Sequence, residues 1–316
     1  MRNESSEAAW MMITAAAVAV AVIAMGCSND LPAASRLERT RVLGARVRVA
    51  ADPGRADAMP GEAADVEWLL AGPRAPGALA WTFALCDAVD GACSDAPAMA
   101  ASGTGAPVLA PFTAPVAAPV DDAHGPLMLG AVCEDGAPTL DAATMLPSCA
   151  AASTSANLAR FAIPVAAAGA TPSHHPNLAN DALTLDGAPW ASLPTGAAGE
   201  PCDATSAMPV VEAGAAERQL RLITDADDRE SFLAAGAVTL EALQLSSFAT
   251  AGKLAGSYAL IPPGDARPDA DFTARWTPPA PADVPAAGMT VQFHFVVRDG
   301  RGGLDWAHRA LCVVAP

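Results

Sequence analysis

The residues TDADDRE, 224–230, form the best acidic cluster of the chain, and carboxylates so closely spaced can hold a cation or carry protons. An EF-hand loop needs acidic ligands at positions 1, 3 and 5 and a glycine at 6. Asp225 and Asp227 fit the first two positions, but Arg229 and Glu230 occupy the next two. A looser calcium site drawing on Asp225, Asp227, Asp228 and Glu230 is the metal reading, and a solvated acidic turn is the simpler one. The five histidines are 124, 174, 175, 294 and 308. His294 alternates with Phe293 and Phe295, which puts it on the polar, solvated face of a strand. His174 and His175 sit beside a proline in SHHPN, an exposed loop, and one adjacent pair does not supply the convergent ligands that a metal needs. Ser246 and Ser247 have no base near them in sequence, and no G-x-S-x-G, H-E-x-x-H or glycine-rich phosphate loop occurs. Arg298, Asp299, Arg301 and Asp305 read as turn residues and surface ion pairs. The residues therefore point to no catalytic site.

Cysteine chemistry is more informative. There are seven cysteines, at 27, 86, 93, 133, 149, 202 and 312. Residues 11–25, MMITAAAVAVAVIAM, are apolar apart from Thr14, too short for a helix that spans a bilayer and the right length for the apolar region of a signal peptide. Ala24-Met25-Gly26-Cys27 is similar to a bacterial lipobox, in which the cysteine sulfur accepts a diacylglyceryl group before cleavage in front of it. Two or more acyl chains hold a protein stably on a membrane. Ser28 rather than Asp follows, which resembles routing to an outer membrane. With Cys27 given to lipid, six cysteines remain, an even set for an oxidising compartment. Six cysteines allow 15 connectivities. Proximity favours Cys86–Cys93 and Cys133–Cys149, leaving Cys202–Cys312. No C-x-x-C occurs, which argues against zinc. No cofactor is expected beyond the covalent lipid.

The formal net charge is −16, from 18 basic and 34 acidic residues, with no cluster of Lys and Arg to offset it. Such a field repels phosphate backbones and excludes nucleic acid as a partner. Hydrophobic residues make up 52% of the chain, but much of that is alanine, and aromatics reach only 5%. An Ala- and Val-rich core buries little area per residue, so covalent staples matter more.

The elements that must position these groups are short strands. In RVLGARVRV (41–49), Ala45, Val47 and Val49 alternate with Arg46 and Arg48, the period of a half-buried strand. DVEWLLA (65–71), ALAWTFALC (78–86), LMLGAVC (127–133) and ANLARFAIPV (156–165) are further strands, with Trp68 and Trp81 in the core. The Pro-rich stretch 94–126 excludes a long helix and any central strand except short ones. In the second half, RQLRLIT (218–224) and TLEALQLSSFAT (239–250) read as strands. Phe272, Ala274 and Trp276 share one face of DFTARWT, and Val291, Phe293, Phe295 and Val297 share one face of VQFHFVVRD. DGRGG (299–303) then turns the chain into LDWAHRALCVV, giving a terminal hairpin that carries Cys312. The expected fold is all-β, two tandem Ig-like β-sandwich domains behind an N-terminal lipoprotein signal peptide. Its expected parts are a signal peptide (1–26), a lipidated cysteine and polar tether (27–37), a first sandwich (38–165), a linker (166–172) and a second sandwich (173–316).

TRVLGARV at 40–47, LQLSSFATAGKL at 243–254 and FHFVVRDGRGGLDWAHRALC at 293–312, together with the lipobox, resemble uncharacterised lipoproteins of myxobacteria and their relatives. The terminal hairpin also resembles Ig-like and PKD-like modules of bacterial surface proteins. The antibody-type Cys…Trp…Cys spacing is absent and the single tyrosine, Tyr258, gives no tyrosine corner. These resemblances imply location and architecture, not mechanism. The expectation is a non-catalytic lipoprotein of the bacterial cell envelope, anchored at the outer membrane, acting as a spacer or as an interaction module for an envelope protein or glycan. The alternatives are an envelope hydrolase with a site between the domains, or a periplasmic protein that binds calcium or a small ligand.

Overall fold

The structure is a computed structural model that describes residues 34–316, apart from 74–78, 91, 94–97, 106, 117–123, 142–146, 151–156, 168, 179–181, 193–197, 203–206, 235 and 268–269. Cys27 and the apolar segment before it lie outside the described residues. The described chain is all-β, with only two short 3-10 turns, at Ala226–Asp228 and Pro281–Asp283. Among the described residues, no helix is long and apolar enough to cross a membrane.

The first half contributes β1 (Arg41–Arg48), β2 (Ala63–Ala71), β3 (Ala80–Val89), β4 (Ala92–Cys93), β5 (Ala98–Thr104), β6 (Val108–Thr113), β7 (His124–Cys133), β8 (Pro138–Leu140), β9 (Pro147–Cys149) and β10 (Asn157–Ala162). One layer has the order β1-β2-β6; the other is β10-β7-β3, with β4 and β5 both paired to the far side of β3. Pro111 is tolerated because β6 is an edge strand, where no neighbour needs its missing donor. Inward residues of the two layers meet in one core that includes Val47, Val66, Trp68, Phe83, Val108 and Met128. Trp68 stacks on Phe83 with ring centroids 4.8 Å apart. Phe83 lies flat across Gly130 on β7, where an added Cβ would sit 2.2 Å from its ring. That glycine makes room for the ring.

The second half contributes β11 (Leu183–Leu185), β12 (Ala188–Pro189), β13 (Val210–Glu212), β14 (Arg218–Thr224), β15 (Ser231–Ala234), β16 (Ala237–Leu240), β17 (Leu243–Ala249), β18 (Lys253–Ala255), β19 (Tyr258–Ile261), β20 (Ala270–Thr277), β21 (Met289–Arg298) and β22 (Leu304–Val314). Its layers are β12-β11-β14-β20-β18 and β13-β22-β21-β17-β19, and β13 runs parallel to β22. β20 alternates strictly, with Phe272, Ala274 and Trp276 buried. They pack with Leu220, Leu222, Phe293 and Phe295 in a second core. The indole N–H groups buried there are satisfied: Trp276 donates to Ala251 O at 2.9 Å and Trp190 to Ala310 O at 3.0 Å. In both halves the chain crosses between layers in the manner of an immunoglobulin-like sandwich.

Three disulfides staple the structure: Cys86–Cys93 across β3 and β4, Cys133–Cys149 between β7 and β9, and Cys202–Cys312, whose partners are 110 residues apart. The first two are the pairs that proximity along the chain favours, and the third is the pair they leave.

Candidate functional site

The strongest concentration of polar chemistry lies where the second sandwich meets the first. The face of β21 and β22 turned away from the core carries Val296, Leu304 and Trp306, and a solvated face would be polar throughout. Instead Leu37, Leu43, Leu69 and Ala71 cover it, forming an apolar cluster shared by both sandwiches. One of the covering groups, Leu37, comes from the segment expected to be a polar tether. Ser35 O accepts from Ala249 N, Leu37 N donates to Ala249 O, and Leu37 is fully buried. The segment docks because Leu37 has an apolar slot to fill.

Around this cluster, charged groups tie one sandwich to the other. Arg46 on β1 bonds Glu67 at 2.8 Å and reaches Asp305 on β22 at 2.5 Å. Its guanidinium lies 4.0 Å above the ring of Trp306. Asp305 also accepts from Leu178 N at 2.8 Å. Arg298 donates to Leu43 O at 2.5 Å. His175 lies between the halves, with Nε2 2.9 Å from Val47 O and Nδ1 accepting from Leu304 N at 3.1 Å. The second bond makes Nε2 the protonated nitrogen, and burial draws the imidazole pKa down.

The reading of Arg298, Asp299, Arg301 and Asp305 as surface turn residues is therefore corrected. Asp299 is 1% exposed and closes the hairpin by accepting from Arg301 N and Gly303 N at 2.7 and 2.9 Å. Gly300 and Gly302 take positive φ, 80° and 110°, at the tip. Arg301 pairs with Glu241 at 2.7 Å, and Glu241 is itself 1% exposed. Burial, with the nearby Asp299 charge, pushes Glu241 up to about 7; burial also raises Asp299. A carboxyl poised near neutrality can serve as a general acid, but it can equally belong to a structural ion-pair network.

The acidic cluster 224–230 is not a solvated turn either. Asp228 is buried, with its two oxygens on Asn177 N at 2.7 Å and Asp225 N at 2.8 Å. Arg229 is 3% exposed and donates to the carbonyls of Glu241, Asp265 and Arg267. Glu230 is held by His174, at 2.6 Å, and by Arg301. Asp227 points to solvent. Asp225, Asp227, Asp228 and Glu230 thus do not converge, and no group of three or more such ligands that could hold a metal occurs among the described residues.

His294 departs furthest from its expected place. It is 7% exposed, lies opposite Phe248 on one side and His308 on the other, and stacks on His308 with ring centroids 4.6 Å apart. Desolvation draws His294 down to about 3 and His308 to about 4. The second sandwich's outer layer is buried on both faces here, so alternation alone misassigns the polar side as wet. His174, by contrast, is exposed.

One open cleft, about 550 Å³, lies against this junction. Its walls come from β1 (Val42 to Ala45), Trp68, β10 (Leu158, Arg160 and Phe161), Arg298 and the hairpin tip (Gly300, Gly302, Gly303 and Leu304). Neither Glu241 nor Asp299 lines it. The sequence gives no signal for this cleft, because its walls are 255 residues apart where Arg298 bonds Leu43.

Fold and junction define a class: an all-β chain of two docked immunoglobulin-like sandwiches. No protein-family model matches it, and no curated protein matches it. Among solved structures, it aligns with one described as "The Enterococcus faecalis MSCRAMM ACE binds its ligands by the collagen Hug Model", over 89% of this chain and 95% of that one, at 8% identity and a TM-score of 0.19. So loose an alignment carries no argument, and the sandwich assignment rests on the sheets themselves.

Proposed function

We propose that this chain is a non-catalytic lipoprotein of the bacterial envelope, anchored through lipid on Cys27, whose docked sandwiches act as a stiff module for binding a protein or glycan. The observation that carries the non-catalytic part is the sealing of its perturbed acids. Glu241 and Asp299 are each 1% exposed and lie outside the cleft, so no substrate reaches them. The other charged groups of the junction hold the sandwiches together. Three disulfides support an oxidising compartment.

Intact mass of the detergent-extracted native protein, with thiol labelling before and after reduction, tests the reading. The expected result is a chain beginning at Cys27 with added acyl mass, and six thiols that label only after reduction. A full-length chain with seven free thiols overturns both anchor and compartment.

A further inference from the structure

The chain has 34 acidic side chains against 18 basic ones, so a cation should easily find a carboxylate. Arg46, Arg55, Arg221 and Arg301 each do. The two arginines of the inter-sandwich cleft do not. Arg160 is exposed on edge strand β10, and its side chain has no hydrogen-bonding or ion-pair partner among the described residues. Arg298 is partly buried and, among the described residues, its guanidinium bonds only neutral oxygens, Leu43 O at 2.5 Å and Ser246 Oγ at 3.5 Å. Burying a guanidinium without an anion is costly, and the cost is recovered when an anion arrives. The remaining wall is apolar or bare backbone: Leu43, Phe161, Leu304 and three tip glycines. The volume, about 550 Å³, suits a ligand of one or two rings or residues.

We infer that this cleft binds a small carboxylate ligand, its carboxylate held by Arg160 and Arg298 and its body against Leu43, Phe161 and Leu304. Guanidinium is the group suited to this, since its planar fork matches a carboxylate. The inference rests on reading the chain as a binding module and names what that module takes. Two sources supply the chemistry, a uronic acid sugar or the free carboxyl end of a peptide.

The test is calorimetric titration of the detergent-solubilised full chain with galacturonate against galactose, and with acetyl-Ala-Ala against its amide. Binding of one acid with no binding of its neutral counterpart supports the site, and which acid binds identifies the source. Arg160→Gln, at an exposed position, should weaken that binding at least about tenfold while leaving the melting temperature unchanged. Arg298→Lys, which keeps the charge but loses the fork, should also weaken it. No binding of either acid at millimolar concentration, equal binding of the neutral counterparts, or undiminished binding by Arg160→Gln overturns the inference. Chemical breakdown of a probe during titration would overturn the non-catalytic reading instead, so the two failures are distinguishable.

Discussion

The buried histidine pair makes the stability of this protein depend on pH in a way that a single substitution should change. His294 and His308 have pKa values lowered to about 3 and about 4, so both stay neutral in the folded chain at pH 5, whereas in the unfolded chain they take up protons below about 6.5. A lowered folded pKa means stability is fully present above the unfolded value and is lost as pH falls toward the folded one. Between pH 7.5 and pH 5 each histidine costs about 2 kcal/mol, about 4 together. Glu241 opposes them. Its pKa is raised to about 7, so its contribution is complete below the unfolded value near 4.5 and disappears as pH rises through 7. Over the same interval acidification returns about 2 kcal/mol through Glu241. Together these three groups should cost the wild-type chain about 2 kcal/mol on going from pH 7.5 to 5. His294→Phe keeps an aromatic ring between Phe248 and His308 and removes a buried Nε2 that has no partner among the described residues. It should make the loss between the two pH values smaller by about 2 kcal/mol than in the wild type. Urea unfolding of the oxidised protein at the two pH values measures this. A variant that keeps the wild-type loss would refute the reasoning, as would a His294 ring proton that titrates above pH 5.5.

Other expectations follow from the same contacts. Glu241→Gln should abolish the stabilisation gained between pH 8 and 5, about 2 kcal/mol, in the same unfolding assay; an unchanged profile would show that Glu241 is hydrated. Replacing Cys202 and Cys312 together by serine opens a loop whose ends are 110 residues apart and should cost about 3–5 kcal/mol by chemical denaturation. Leu37→Ala hollows the shared apolar cluster at a fully buried position and should cost about 3 kcal/mol. A loss below about 1 kcal/mol would mean that residues 35–37 are held only loosely.

Strand existence was legible where one face is wet. Arg46 and Arg48 alternate with Ala45, Val47 and Val49, and β20 alternates along its whole length, so period two reveals both strands and both core faces. Cysteine pairing was legible too, because two short loops close first and leave Cys202 and Cys312 to each other. The junction was not. β21 is buried on both faces, and a pattern that distinguishes only apolar from polar cannot tell a polar side chain in water from one under another sandwich. Leu37, Arg46, His175 and Asp305 belong together only once the chain has folded. Nothing local to Ser35 and Leu37 distinguishes a docked segment from a free one except the single leucine.

That docked segment sets where load enters the body. Ser35 and Leu37 are bonded to Ala249 at the end of β17, in the second sandwich, although the chain next enters the first. A pull applied from the N-terminal side would therefore act on the middle of the protein, at the seam, before it reached β1. The seam would act as a clasp that shares the load between the strands on either side of it.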